Sequence, residues 1–289
     1  MAKKTTSRPF PKKRAAKKRP AKRKVPAVKR PRKKPARKSS TPKDAAVTAA
    51  VLIIGNEVLS GRTQDANLKF LAEALNKVGV RMMEARVIAD DEAAIVAAVN
   101  ALRRRYDYVF TTGGIGPTHD DITAECVAKA FRRPFGRNAE AEARLRRHYR
   151  PEDVTEARMS MADMPAGVTL IDNPVSRAPG FRIANVFVLP GVPRIMQAMF
   201  DGLKSTLIGG RPVISRTIVA HLPEGLVAQP LEEVQKAHPE TEIGSYPFFR
   251  LGKLGTSLVV RAVDQEKVNA AAEAIRAMIR RLGGEPMEE

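Results

Sequence analysis

A single cysteine, Cys126, stands in a chain of 289 residues, so no intrachain disulfide can form and the sequence fits a reducing compartment. Cys126 lies in ITAECVAKAF, among apolar residues at helical spacing and with no nucleophile or metal-ligand partner nearby, which reads as a core thiol. No apolar run approaches the roughly 20 residues needed to span a bilayer, and the N-terminus lacks the apolar centre of a signal peptide. The expectation is a soluble, cytoplasmic protein with no membrane partner. No internal repeat is apparent. Acidic residues are missing altogether from residues 1–43, which hold 20 of the 51 lysines and arginines; the rest of the chain balances 31 bases against 31 acids. The formal charge of +20 therefore belongs entirely to the N-terminal segment, and the remainder gives no charge-based hint of a polyanionic partner.

That segment, residues 1–44, is built of Lys, Arg, Pro and Ala with almost nothing to bury, and repulsion together with proline predicts a disordered tail. It could neutralise phosphates of nucleic acid without sequence preference. Phe10 is its one aromatic residue, so base stacking adds little. A solubilising extension is the alternative reading. A transit peptide is a third, although the segment has no amphipathic apolar face.

From Ala45 onward, strand-like and helix-like stretches alternate. VTAAVLIIG reads as a short buried strand closed by Gly55. DANLKFLAEALNKVG places Leu68, Leu71, Leu75 and Val78 on one helical face, with Asp65 as cap and Gly79 as stop. VRMMEARVI reads as a strand, and DDEAAIVAAVNALRRRY as a helix with acids first and arginines last, as the helix dipole prefers. DYVFTT is a further strand, followed by a glycine loop and the helix DITAECVAKAF. This order predicts a mostly parallel sheet covered on both faces, with ligands at the carboxyl ends of its strands. The stretch from Asn138 to Arg158 is helical and charged. VTLIDNP and FRIANVFVLPG are strand-like, and PRIMQAMFDGLKSTL is a helix with Pro193 in its first turn. After the break GGRP the order becomes βαββα, a small α+β domain over residues 212–284 that follows an α/β domain over residues 45–208.

The chemistry concentrates in TTGGIGPTHDD. Gly113, Gly114 and Gly116 follow a strand and precede a helix, where backbone amides and the helix start favour a phosphate. No Gly-Lys-Ser/Thr follows, so this is not a Walker A loop, and the GGxG spacing does not match the GxGxxG fingerprint of dinucleotide folds. Asp120 and Asp121 read either as helix caps or as metal ligands. Two carboxylates would repel a bound pyrophosphate unless a divalent cation such as Mg²⁺ bridged them to its oxygens. Asp90 and Asp91 follow another strand, and the first strand adds Glu57, Asp65 and Asn67, so three strands bring polar residues to one rim.

The motifs IIGNEVLSGRTQDAN, TTGGIGPTHDDIT, NPVSRAPGF and LPGVP, in this order over about Val47 to Leu207, resemble the molybdopterin-binding fold of MogA/MoaB proteins. They resemble most closely the N-terminal half of CinA-type competence/damage-inducible proteins. The resemblance implies a three-layer α/β sandwich, a homo-oligomer (dimer or trimer) and a pterin or nucleotide pyrophosphate ligand, with molybdopterin itself as a candidate. It implies that Asp90 and Asp121 match the acids of the MogA-type active site, Gly113, Gly114, Gly116 and Thr118 the phosphate-binding loop, and Pro190, Gly191 and Pro193 the turn beside the pterin pocket. The candidate site is then Asp90 and Asp121 for catalysis, Asp90, Asp120 and Asp121 for metal, and Gly55, Glu57 and Asn173 beside the loop and turn residues for ligand contacts. Ser176 stands where the NPxGxAPG pattern has Gly, and His119 occupies a variable position that reads as solvent-facing. CinA-type chains often continue into a nicotinamide mononucleotide deamidase domain; the sequence stops at Glu289, so that activity is not expected.

Three functions stay open on this evidence. One is a metal-dependent hydrolase of an ADP-ribose- or FAD-like pyrophosphate, and the small C-terminal domain and the GPTxDD form of the loop favour it. Another is an adenylyltransferase acting on molybdopterin in molybdenum cofactor biosynthesis. The last is a non-catalytic pterin- or nucleotide-binding protein tethered to nucleic acid by its tail.

Overall fold

A computed structural model of the chain describes residues 46–250 and 252–288. The basic tail and the readings attached to it lie outside the described residues. In chain order the elements are β1 (Val47–Ile54), α1 (Asn56–Leu59), α2 (Asn67–Lys77), β2 (Val80–Ile88), α3 (Glu92–Arg105), β3 (Tyr108–Thr112), α4 (Thr123–Phe131), β4 (Phe135–Arg137), α5 (Ala139–His148), α6 (Glu156–Met159), β5 (Asp163–Pro165), β6 (Thr169–Ile171), β7 (Gly180–Ile183), β8 (Val186–Leu189) and α7 (Pro193–Leu203). They continue as β9 (Ile214–Ala220), α8 (Glu224–Ala237), β10 (Glu242–Arg250), β11 (Lys253–Ala262), α9 (Gln265–Arg281) and β12 (Met287–Glu288).

The first sheet has the order β2-β1-β3-β8-β7-β6. Its first four strands run parallel, and β7 and β6 are antiparallel. FRIANVFVL is thus a hairpin and not one strand, because Ala184 takes a left-handed φ of 52° and turns the chain. Strand β1 is apolar throughout because both its faces are covered. Ala49, Val51 and Ile53 pack with α2 and α7, whereas Ala50, Leu52 and Ile54 pack with α3 and α4. Phe110 and Phe187 stack at 5.0 Å within the first of these layers, and each fully buried ring contributes about 1.5–3 kcal/mol of burial free energy. The result is a mixed α/β fold with a mostly parallel central sheet.

The second sheet is antiparallel, in the order β10-β11-β9-β12. Helices α8 and α9 cover it through Val227, Val268, Ala272 and Ile275, packed on Ile218, Leu258 and Val260. Strand β12 extends this sheet past the βαββα order read from sequence. The connection is pinned rather than free: Asn76 Nδ2 donates to Val213 O (3.0 Å), Val213 N donates to Asn76 Oδ1 (3.2 Å), and Gly210 N donates to Gly79 O (2.8 Å).

The strand order fixes where a ligand can bind. The chain leaves β1 to one side for β2, then returns across it to β3, so the crossovers diverge between β1 and β3 and open a crevice at their carboxyl ends. The glycine loop begins there.

Candidate active site on the carboxyl rim of the parallel sheet

Backbone hydrogen bonds stitch the four strand ends into one rim. Gly55 N donates to Ile88 O and Gly113 N to Leu189 O, each at 3.1 Å. Gly113 has φ 104°, and a Cβ built there would lie 2.1 Å from Ile54 O; only glycine lets β3 pass so close to β1. Gly114, at φ 67°, is equally constrained, with Thr123 Oγ1 2.1 Å from the position a Cβ would take. Gly191 packs against Gly113, and Asn67 Nδ2 donates to Gly191 O at 2.8 Å, which ties the turn after β8 to the start of α2.

Asp65 Oδ1 accepts from Leu68 N at the start of α2 (2.8 Å), and of the acids after β2 and β3 only Asp91 caps the helix that follows. Asp91 is the N-cap of α3 and accepts from Ala94 N at 2.8 Å. Asp90 turns the other way, and its Oδ2 accepts from Asn56 N at 2.8 Å, bridging the loops after β2 and β1. Helix α4 has Ile122 at its N-cap and no side-chain cap bond. Asp121 instead folds onto its own loop: its Oδ2 accepts from Thr118 N (2.9 Å) and from the Thr118 hydroxyl, and it lies 2.7 Å from where a Cβ on Gly116 would stand. The Thr118 hydroxyl donates to Asp121. The Thr118 side chain, and after it the backbone amide of Asp120, hold the Asp120 carboxyl below the usual range. Glu57, on α1, folds its carboxylate back over Gly55.

A cavity of about 410 Å³ opens from this loop. Gly116, Thr118 and Asp121 line one side, and Phe135, Met164 and Phe181 line the other. The two-stranded ribbon β4-β5 supplies Phe135 and Met164. Exposed His119 also borders it. Gly113, Gly114, Asp90, Pro190 and Gly191 belong to the rim and not to the cavity wall.

Asn173 is only 2% exposed and spends its amide inside its own loop, donating to Ser176 Oγ and Ala178 O and accepting from Val175 N and Ser176 N. These bonds fix the shape of the loop. Among the described residues, no three His, Cys, Asp or Glu side chains come together to hold a metal, so Asp90, Asp120 and Asp121 do not form a protein-only metal site. Asp90 and Asp121 each have one carboxylate oxygen tied to backbone amide; the other accepts no hydrogen bond among the described residues. That donor set fits a cation whose coordination is completed by a ligand's phosphates, the usual way Mg²⁺ is held. Sequence reading missed the apolar wall, since three-residue strands such as β4 and β5 carry too little periodicity to detect.

The comparisons agree with this geometry. A family model described as a probable molybdopterin binding domain matches residues 50–209. The chain belongs to this family. A second model, described as the middle domain of FAD synthase, matches residues 212–283. A probable FAD synthase of Caenorhabditis briggsae is 31% identical over 267 residues, covering 82% of this chain and 50% of that protein, so the chain spans half the length of this relative. A protein of Archaeoglobus fulgidus is 31% identical over 230 residues, covering 79% of this chain and 96% of its own length. Among solved structures, the CinA protein of unknown function from Thermoplasma acidophilum is 34% identical with a TM-score of 0.53, covering 56% of this chain and 98% of that one. The MogA/MoaB-like and CinA-like resemblance of the motifs is thereby established, with an FAD synthase-like segment behind it. No helix among the described residues is long and apolar enough to cross a membrane.

Proposed function

We propose that the rim and its cavity bind a dinucleotide pyrophosphate and hydrolyse it with a divalent cation, a flavin adenine dinucleotide being the favoured substrate. One observation carries this reading: neither Asp90 nor Asp121 caps the helix after it, and each keeps one carboxylate oxygen available beside a glycine loop suited to phosphate. The preference for a flavin dinucleotide rests on the FAD synthase-like segment at residues 212–283 and on the FAD synthase relatives.

In this scheme the amides of Gly114–Gly116 receive the diphosphate, and a flat heterocycle enters the cavity against Phe135, Met164 and Phe181. Asp90 and Asp121 would hold the cation together with phosphate oxygens. When bound, a divalent cation neutralises phosphate charge and lowers the pKa of a coordinated water. Thr118 keeps Asp121 in one orientation through both its amide and its hydroxyl. Hydrolysis adds the oxygen of one water to a phosphorus and breaks that phosphorus–oxygen bridge, so FAD yields FMN and AMP.

Adenylyl transfer to molybdopterin is the second reading, favoured by the description of the matching family. One assay separates the two. The purified chain is incubated with FAD, with ADP-ribose, and with molybdopterin plus ATP, each with and without Mg²⁺, and products are resolved by chromatography. FMN and AMP formed only with metal, and lost in Asp121→Asn, support the hydrolase. An adenylylated pterin without FAD cleavage supports the transferase and removes the hydrolase.

A further inference from the structure

A second concavity, of about 510 Å³, lies between α5 and the loop after β6, and none of its lining residues lines the glycine-loop cavity. Helix α5 presents Glu140, Arg144, Arg147 and His148 at i, i+4, i+7 and i+8, which is one helical face. The loop contributes Asp172 and Arg177. Both carboxylates are already engaged by one guanidinium: Arg144 Nη2 bonds Glu140 Oε1 at 2.6 Å and Nη1 bonds Asp172 Oδ1 at 3.3 Å. Arg147 and Arg177 form no ion pair among the described residues, so two cations face the concavity without an anion.

The backbone adds an independent sign. Arg177 holds a left-handed φ of 61°, a conformation that glycine adopts freely and an arginine does not. Its amide donates to Asn173 O (3.1 Å), and the Asn173 side chain fixes the residues on either side, so the loop is locked in this shape. An arginine kept where its backbone is disfavoured points to a use for its side chain.

We propose that this concavity is a phosphate site, with the Arg147 and Arg177 guanidinium groups binding a phosphate dianion and His148 standing beside them as a further donor. Guanidinium groups match phosphate with paired, charge-assisted hydrogen bonds, and Arg144 is the scaffold that joins helix to loop. The anion is either free phosphate or the phosphate ester of a small ligand.

The test is a titration of the full chain with inorganic phosphate and, separately, with AMP, followed by ³¹P line broadening. Parent, Arg147→Gln, Arg177→Gln, Arg177→Gly and the charge control Arg280→Gln are compared, so any binding by the basic N-terminal segment is common to all. Each Arg147 or Arg177 variant should weaken binding about tenfold or more, and the control should match the parent. Arg177→Gly should also melt at a higher temperature, because it relieves the left-handed backbone, which shows that the lost binding is not lost folding. Weakening seen with inorganic phosphate identifies a free-anion site, and weakening seen only with AMP identifies an ester site. No binding by the parent, or equal binding by the parent and the Arg147 and Arg177 variants, would overturn the proposal.

Discussion

Gly113 and Gly252 both hold positive φ, 104° and 77°, at the ends of strands in the first and second sheets. A Cβ on Gly252 would meet open space, whereas one on Gly113 would strike Ile54 O at 2.1 Å. The buried polar atoms that lack a hydrogen-bond partner among the described residues divide in the same way. Asn67 Oδ1, Thr111 Oγ1, Thr112 Oγ1 and Thr123 Oγ1 all belong to the first sheet's carboxyl rim, at the end of β3 and the starts of α2 and α4. Among the described residues, the second sheet, its core buried beneath α8 and α9, has no such atom. A glycine-only backbone approach and unpaired buried polar atoms gathered at one rim mark the part of the molecule shaped for something other than stability.

The largest expected effect tests this contrast directly. Gly113→Ala should destabilise the chain by about 3 kcal/mol or more, combining left-handed backbone with a collision against β1. Gly252→Ala should cost only about 1 kcal/mol, the backbone penalty alone. Denaturant unfolding of the two variants measures the difference, and equal losses would erase the distinction between the two regions. A smaller effect concerns Cys126, which lies in the first sheet's core and not on its rim. Burial, with Glu92 adding to it, pushes the thiol up to about 11. The native chain should therefore react slowly with a thiol reagent at pH 8 and rapidly once unfolded. Because the folded thiol holds its proton more tightly than the unfolded one, stability should fall as pH rises above the ordinary thiol range toward 11. Fast reaction in the native state would show that α4 does not pack as described.

Much of the rim was legible because its signals are local. Glycines after a strand, acids after two others and the order of elements specify a crevice at a switch point, and the family motifs agree. What each acid does was not legible. In sequence Asp90 and Asp91 are interchangeable as caps, and only the approach of Asn56 N, at the start of α1, separates them. Asp121 likewise reads as a cap until Thr118 is seen to fold back onto it. Asn173 sits in a motif that suggested ligand contact, yet its bonds are all to its own loop. The ribbon that carries Phe135 and Met164 is too short for its period to register. A contact between distant segments decided Asp90, and side-chain folding within a loop decided Asp121 and Asn173; propensity has access to neither.

The central claim is that carboxylates and a diphosphate share this rim through a cation. Calorimetric titration of a non-hydrolysable methylene analogue of ADP-ribose, in Mg²⁺ and in EDTA, tests it in the parent chain and in Asp121→Asn. Binding in Mg²⁺ that weakens about tenfold or more in EDTA, with the variant losing that dependence, is the predicted result. Equal affinity with and without metal in both proteins would contradict it.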